Sequence, residues 1–96
     1  EADARYLAMN DIKIVEDELC RVQPVVNELD AVRQLILMDM AFNMGVPRLC
    51  KFKKMWAAIH EQRFDIASIE MLDSRWAKQV GRRATKLSDA MKNGEF

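Results

Sequence analysis

From Leu29 to Gly45 the chain reads LDAVRQLILMDMAFNMG, and between Leu35 and Met44 only Asp39 and Asn43 are polar. A helix with apolar side chains on nearly every side cannot lie on a surface, so it belongs in the middle of a bundle. The run is far too short to cross a bilayer, which takes about 20 apolar residues. Asn27 or Asp30 can cap its start. Gly45 suits the left-handed position that ends a helix, and Pro47 suits the first turn of the next one. One helix from about Asp30 to Met44 therefore constrains the rest: the remaining segments must be amphipathic helices that enclose it.

The remaining segments fit that demand. From Ala2 to about Val22, the residues Ala8, Ile12, Val15, Leu19 and Val22 recur at helical spacing, with Leu7 and Ile14 widening the stripe. Pro24 breaks this pattern, and QPVVNEL reads as a turn or a single helical turn. A helix over about Arg48–Glu61 places Leu49, Phe52, Trp56 and Ile59 on one face. After an EQRFD turn, FDIASIEML offers Phe64, Ala67, Ile69 and Leu72, with Asp65 near the helix start. DSRWAKQV is a further short helix, capped by Asp73 or Ser74. The last helix follows Gly81, turns Ala84, Leu87 and Met91 inward and closes at Gly94. There are no period-two runs and no hairpin turns, so no strand is expected. With 96 residues, half of them hydrophobic, the chain supports one core and one domain, 1–96. The expected fold is all-α: a compact bundle of six to seven mostly short helices around one apolar central helix.

Charge and reactive residues narrow the function. Formal net charge is zero, which disfavours a general nucleic-acid binder. The charge is unevenly spread: residues 1–45 hold four Lys/Arg and nine Asp/Glu, and residues 46–96 hold eleven and six. The second half is thus either an ordinary solvated helical surface or a basic face for an anionic polymer. Cys20 and Cys50 stand alone and His60 is the sole histidine, so no structural zinc set can form, and no cofactor is expected. The two cysteines read most simply as reduced, partly buried thiols, with a single disulfide as the alternative. Glu16, Asp17 and Glu18 point around a helix rather than converging. Glu70 and Asp73 lie three apart near Trp76, but helical spacing alone does not create the carboxylate pair of a glycosidase. No nucleophile elbow and no glycine-rich phosphate loop occurs. Trp56 and Trp76 are either core anchors or ligand platforms. SRWAKQVGRRATK groups Arg75, Lys78, Arg82, Arg83 and Lys86 around Trp76, an arrangement suited to sugars or nucleic acid.

The ordered motifs resemble those of the phage-type lysozymes, the muramidases of glycoside hydrolase family 24. That family's central helix has the form L-D-x-V-R, an apolar stretch, then F-[NQ]-x-G. Here those positions are Leu29, Asp30, Val32 and Arg33, then Phe42, Asn43 and Gly45. CKFKKMWAAI resembles the family's G-F-x-x-x-L helix, RFDIASIEMLDSRWAKQVGRRATK its W…S-x-W-x-x-Q-x-x-x-R-A stretch, and KNGEF its closing R-T-G-x-W. The resemblance covers essentially the whole chain. It assigns residues 1–22 to the helix that joins two lobes and residues 23–96 to the helical C-terminal lobe.

The resemblance carries further expectations. A full family member cleaves the β-1,4 link between N-acetylmuramic acid and N-acetylglucosamine, using a Glu, an Asp or Cys and a Thr in an N-terminal β-containing lobe. None of those motifs occurs here, so no catalytic residue is expected in this chain. The lobe would form the opposite wall of the cleft, with peptidoglycan strands and the missing lobe as its partners. Phe42 would lie against the sugar chain. Asn43 would bond sugar or position a neighbour, and Trp76 would pack beside that amide. Met55 and Glu70 stand where the family has a small hydroxyl and an amide. Arg83 would approach the catalytic Glu of the other lobe. Surface left bare by that lobe could support self-association, and no membrane partner is expected. The implied setting is an endolysin made in a bacterial host's cytoplasm and acting on the cell wall. The alternative is a non-enzymatic helical module whose basic half binds nucleic acid or an acidic protein.

Overall fold

The computed structural model describes residues 13–96, which form seven α-helices and one 3-10 turn, with no strand among them. α1 covers 13–22 and is followed by the 3-10 turn Pro24–Glu28. The others are α2 (Ala31–Met44), α3 (Val46–Cys50), α4 (Lys53–His60), α5 (Phe64–Leu72), α6 (Arg75–Val80) and α7 (Arg82–Asn93). The all-helical lobe expected from the sequence is therefore the fold. Ala8, Ile12 and Leu7 lie outside the described residues. Of the rest of their stripe, Leu19 is buried and Val15 half-buried, whereas Val22 and Ile14 are exposed. The chain turns away at Pro24 before Val22 can reach the core.

α2 starts at Asp30, whose carboxylate accepts the Arg33 backbone N–H at 3.1 Å, so Asp30 and not Asn27 is the cap. Its inner side buries Ile36, Leu37, Met40 and Ala41. The helix is not enclosed all round, because Leu35 and Phe42 stand 58% and 43% exposed. At Gly45 the backbone takes φ 89° and ψ 149°: φ is positive as expected, but ψ is extended rather than left-handed helical. The chain then passes straight into α3, with Pro47 in its first turn.

The helix expected over 48–61 is broken in two. Lys51 and Phe52 close α3 with short-range bonds to the Arg48 and Leu49 carbonyls, and Phe52 leaves helical geometry. The buried Trp56 indole donates to the same Leu49 carbonyl at 2.9 Å. A carbonyl that a continuous helix would have bonded to residue 53 is thus satisfied twice. In α5 the inward residues are Ala67, Ser68 and Met71, with Phe64 half-buried. Ile69 and Leu72, expected inward, are 61% and 43% exposed. Two residues along a helix is about 200° of rotation, so Ala67 and Ile69 cannot share a face. α5 packs most extensively on α7 and then on α4. Ser74, not Asp73, caps α6: its hydroxyl accepts from Ala77 N at 3.2 Å and donates to the Met71 carbonyl at 2.7 Å. α7 buries Ala84, Leu87, Ser88, Ala90 and Met91 and ends at Gly94 in the left-handed conformation.

Arg33 joins three of these helices. Its Nε donates to the Met91 carbonyl at 2.7 Å, and Nη2 donates to the Lys92 carbonyl at 3.2 Å. These carbonyls lie in the last turn of α7, where a cation meets both unbonded oxygens and the negative end of the helix dipole. The guanidinium carbon lies 3.6 Å from the centre of the Phe64 ring at the start of α5, and Nη1 pairs with Asp30 at 3.0 Å. Near the other end of α2, Arg83 of α7 donates from Nε to Asp39 Oδ2 at 3.0 Å and makes a second, closer contact from Nη2 to Oδ1. Residue 33 meets 91–92 and residue 39 meets 83, so α2 and α7 run antiparallel, pinned twice.

Replacing Arg33 with Met leaves the Met91 and Lys92 carbonyls without their donors and removes the ring contact. The expected loss is about 2–4 kcal/mol, read from a urea unfolding midpoint; a change within about 0.5 kcal/mol would show that the junction is incidental.

Asp30 predicts a pH dependence. Partial desolvation works against its ionisation, but the Arg33 backbone N–H, the guanidinium hydrogen bond and the Arg33 charge outweigh that and hold the carboxyl below its ordinary value. A depressed folded-state pKa gives stability that is present above the ordinary value of about 3.9 and is lost as the pH falls through the folded one. Asp30→Asn keeps a capping side chain. It is expected to flatten the acid limb of stability below about pH 4, measured by urea unfolding at stepped pH.

The two tryptophans give a contrast. Both are 4% exposed, but the Trp56 indole N–H is bonded and the Trp76 indole N–H is buried with no partner. Trp56→Phe is expected to cost about 1–2 kcal/mol more than Trp76→Phe, since only the former breaks a bond. Equal losses in parallel unfolding curves would contradict that difference.

Candidate functional site

Two adjoining concavities lie where α3, α4, α5 and α6 meet, and they share Lys51, Phe52 and Ser74. The first, about 390 Å³, lies between the α3–α4 junction and the end of α5. Glu70 and Asp73 supply its carboxylates, and Lys53 and Lys54 stand opposite. Met55 lines it but is fully buried, so its part is that of an apolar floor continuous with the core. The second, also about 390 Å³, lies between Met44 at the end of α2, α3 and α6. Trp76, Phe52 and Met44 supply its apolar walls, and Arg48, Lys51, Arg75 and Gln79 its polar groups. The break between α3 and α4 creates the junction, because it swings Lys51 and Phe52 out of helical register into both concavities.

The residues singled out from sequence fall into three groups. Met55 and Glu70 share the first concavity, and Trp76 belongs to the second. Phe42 and Asn43 line neither. They stand exposed at the end of α2, two residues and one residue before Met44, which does line the second. Asn43 turns back on its own helix, its Nδ2 donating to the Asp39 carbonyl at 2.8 Å. Trp76 is therefore not bonded to the Asn43 amide; its buried Nε1 has no partner. Arg83 is 56% exposed in its side chain and is held by Asp39.

Asp39 is the residue that sequence reasoning passed over. It is the first polar interruption of the apolar helix, and it binds Arg83 through its carboxylate and Asn43 through its carbonyl. The signal was available: Asp39 and Asn43 lie four apart and so share a helix face. Lys51, Phe52, Ser74 and Gln79 were likewise not expected at a binding site: Phe52 reads as an inward core residue and Ser74 as a cap, and helical periodicity across 48–61 concealed the junction that gathers them.

Five of the eleven Lys and Arg residues of the second half of the chain lie here. Arg48, Lys51, Lys53, Lys54 and Arg75 ring the two concavities, and none of them makes an ion pair among the described residues. The described residues contain no group of three or more His, Cys, Asp or Glu able to hold a metal ion. Cys20 and Cys50 are free and half-buried. Burial, helped by Glu16 and Asp17, pushes the Cys20 thiol up and keeps it protonated. The arrangement can bind and orient a polar chain; it shows no paired acid and base on opposite sides of a cleft.

No protein-family model matches the chain. Curated relatives do match it. One, named "Probable T4-type lysozyme 2", from Dictyostelium discoideum, is 33% identical over 70 residues, which is 73% of this chain and 41% of the relative. "Probable T4-type lysozyme 1" from the same organism is 29% identical over 70 residues with the same coverage. The matched stretch thus spans less than half the length of either relative. Motif order, an all-helical fold and these matches agree, and the chain belongs with the phage-type lysozymes, corresponding to their helical C-terminal lobe.

Proposed function

We propose that this lobe forms one wall of the substrate cleft of a peptidoglycan-degrading lysozyme, with the hydrolytic Glu, Asp and Thr contributed by another lobe. The observation that carries this reading is the paired concavity at the α3–α4 junction, with Phe42 and Asn43 exposed at the end of α2, in a chain 33% identical over 70 residues to a probable T4-type lysozyme. Phe42 offers a ring face to a sugar. Glu70, Lys51 and Ser74 offer hydrogen bonds to hydroxyl and amide groups, and Met55 gives the floor. The Asp39 carboxylate holds Arg83 where it can face the acid catalyst of a second lobe. That reaction protonates the leaving glycosidic oxygen with one carboxyl while the other supports attack at the sugar carbon. This chain orients the glycan and supplies no proton. An endolysin made in a bacterial host and released to the wall is the form of the proposal that the motifs favour.

The isolated chain is expected to bind neutral glycan weakly and to hydrolyse none. Titration with chitooligosaccharide should change tryptophan fluorescence at millimolar ligand or below, and Glu70→Ala should weaken the response. Incubation with a peptidoglycan suspension should leave its turbidity unchanged. Clearing of the suspension would refute the inactive-wall reading, and a flat fluorescence titration would remove the glycan reading altogether.

The ring of cations favours a second reading, a module that binds nucleic acid or an acidic protein. Binding to unrelated DNA duplexes that falls steeply with salt would support it.

A further inference from the structure

We propose that the second concavity is an anion subsite that takes a phosphoryl group borne on a sugar ring. The choice of a sugar rests on the glycan reading above; the affinity for the anion does not. Three cations, Arg48, Lys51 and Arg75, line one cavity with the amide of Gln79, and no carboxylate lines it. None of the three makes an ion pair among the described residues. Three like charges around one small concavity repel one another, and an anion within it relieves that repulsion. A carboxylate brings a single charge and two oxygens. A phosphoryl group brings about −1.5 to −2 charge and three acceptor oxygens, a closer match to two guanidinium forks and an ammonium.

The remaining walls say what the phosphoryl group is attached to. Met44, Phe52 and Trp76 give the cavity an apolar side that a free inorganic ion would not use. Its volume of about 390 Å³ sits near the small end of ligand pockets, which run from roughly 300 to 1,000 Å³, and suits a single ring with one substituent. Its surroundings distinguish a single phosphoryl group from a continuous polyanion. Across the shared Lys51, Phe52 and Ser74 the purely cationic lining gives way to mixed charge, with the Glu70 and Asp73 carboxylates set against Lys53 and Lys54. A nucleic-acid strand, with a phosphate at every residue, would meet those carboxylates. A glycan with a single phosphorylated sugar would place its uncharged neighbour beside them instead. The subsite thus reads a substituent on the glycan, in addition to the glycan itself.

The test uses the ¹⁵N-labelled chain and follows the indole N–H signal of Trp76. The probes are N-acetylglucosamine 6-phosphate, N-acetylglucosamine and inorganic phosphate, at low ionic strength. The sugar phosphate is expected to bind about tenfold or more tightly than either of the others. Arg75→Gln and the double variant Arg48→Gln/Lys51→Gln should each remove most of that preference. Lys86→Gln, outside the cavity, should not. All these side chains are exposed, so the variants should keep the dispersed spectrum of the parent chain. Equal binding of phosphorylated and neutral sugar overturns the proposal, as does inorganic phosphate binding as tightly as the ester. An undiminished preference in the double variant, or a loss as large in Lys86→Gln, overturns it too. A single-stranded oligonucleotide that binds more tightly than the sugar phosphate, and loses affinity in the same variants, overturns it in favour of nucleic acid. Neutral chitooligosaccharide binding that survives in Arg75→Gln while the phosphoryl preference is absent leaves the glycan reading standing and removes only the subsite.

Discussion

Burying a guanidinium is tolerable only when its charge and its donors find partners, and the packing of this lobe turns on one such group. The Arg33 side chain is 13% exposed and finds two backbone carbonyls, one carboxylate and one aromatic face. Those partners come from the start of α2, the end of α7 and the start of α5. None of the three helices is long, and helices of 14, 12 and 9 residues are marginal in isolation. Their ends must be satisfied by one another, and Arg33 does this where they converge. Gly94 belongs to the same junction. A Cβ there would stand 3.2 Å from the guanidinium, at a positive φ that side chains rarely adopt. The ending of α7 is therefore set as much by the space Arg33 needs as by the turn itself.

The antiparallel α2–α7 pair converts that junction into a site. Arg33 fixes one end; at the other, Asp39 holds Arg83 and its carbonyl holds the Asn43 amide. Between the two pins α2 runs about 9 Å, at 1.5 Å per residue. Over that distance a helix is effectively rigid, so the exposed end bearing Phe42 and Asn43 is placed by contacts at both ends of the pair. An ion pair as exposed as Arg83–Asp39 contributes little stability. Its consequence is direction: an arginine that would otherwise sweep through solvent is aimed.

How much of this could be read in the sequence follows from what periodicity measures. It reports faces, and it located α2, the buried side of α7 and the caps near Asp30 and Ser74. It does not report where a helix stops when neither glycine nor proline marks the place. The α3–α4 break at Lys51 and Phe52 has no such mark. There the Trp56 indole and the Phe52 amide together take the Leu49 carbonyl, an arrangement that only the folded chain can make. The same limit explains α5. Apolar residues occupy two faces of that helix, Phe64, Ala67 and Met71 on one and Ile69 and Leu72 on the other, and only the positions of α4 and α7 decide which of the two goes in. The antiparallel pinning by Arg33 and Arg83 was equally invisible, since it joins residues 58 and 44 positions apart.

The unread break is also where the candidate site lies, and the coincidence has a physical reason. A continuous helix over 48–61 would present one unbroken row of side chains and leave no concavity. Interrupting it exposes two concave faces and turns Lys51 and Phe52 into both. The interruption is stabilised by Trp56 from below, while Trp76, the other tryptophan, faces the second concavity with its own N–H unbonded. One indole spends its hydrogen bond on the shape of the site, and the other keeps its donor free beside it. A buried donor without a partner is a standing cost to the fold, of about 1–3 kcal/mol. A fold this small, with little stability in reserve, retains such a donor beside a concavity lined by Arg48, Lys51 and Arg75.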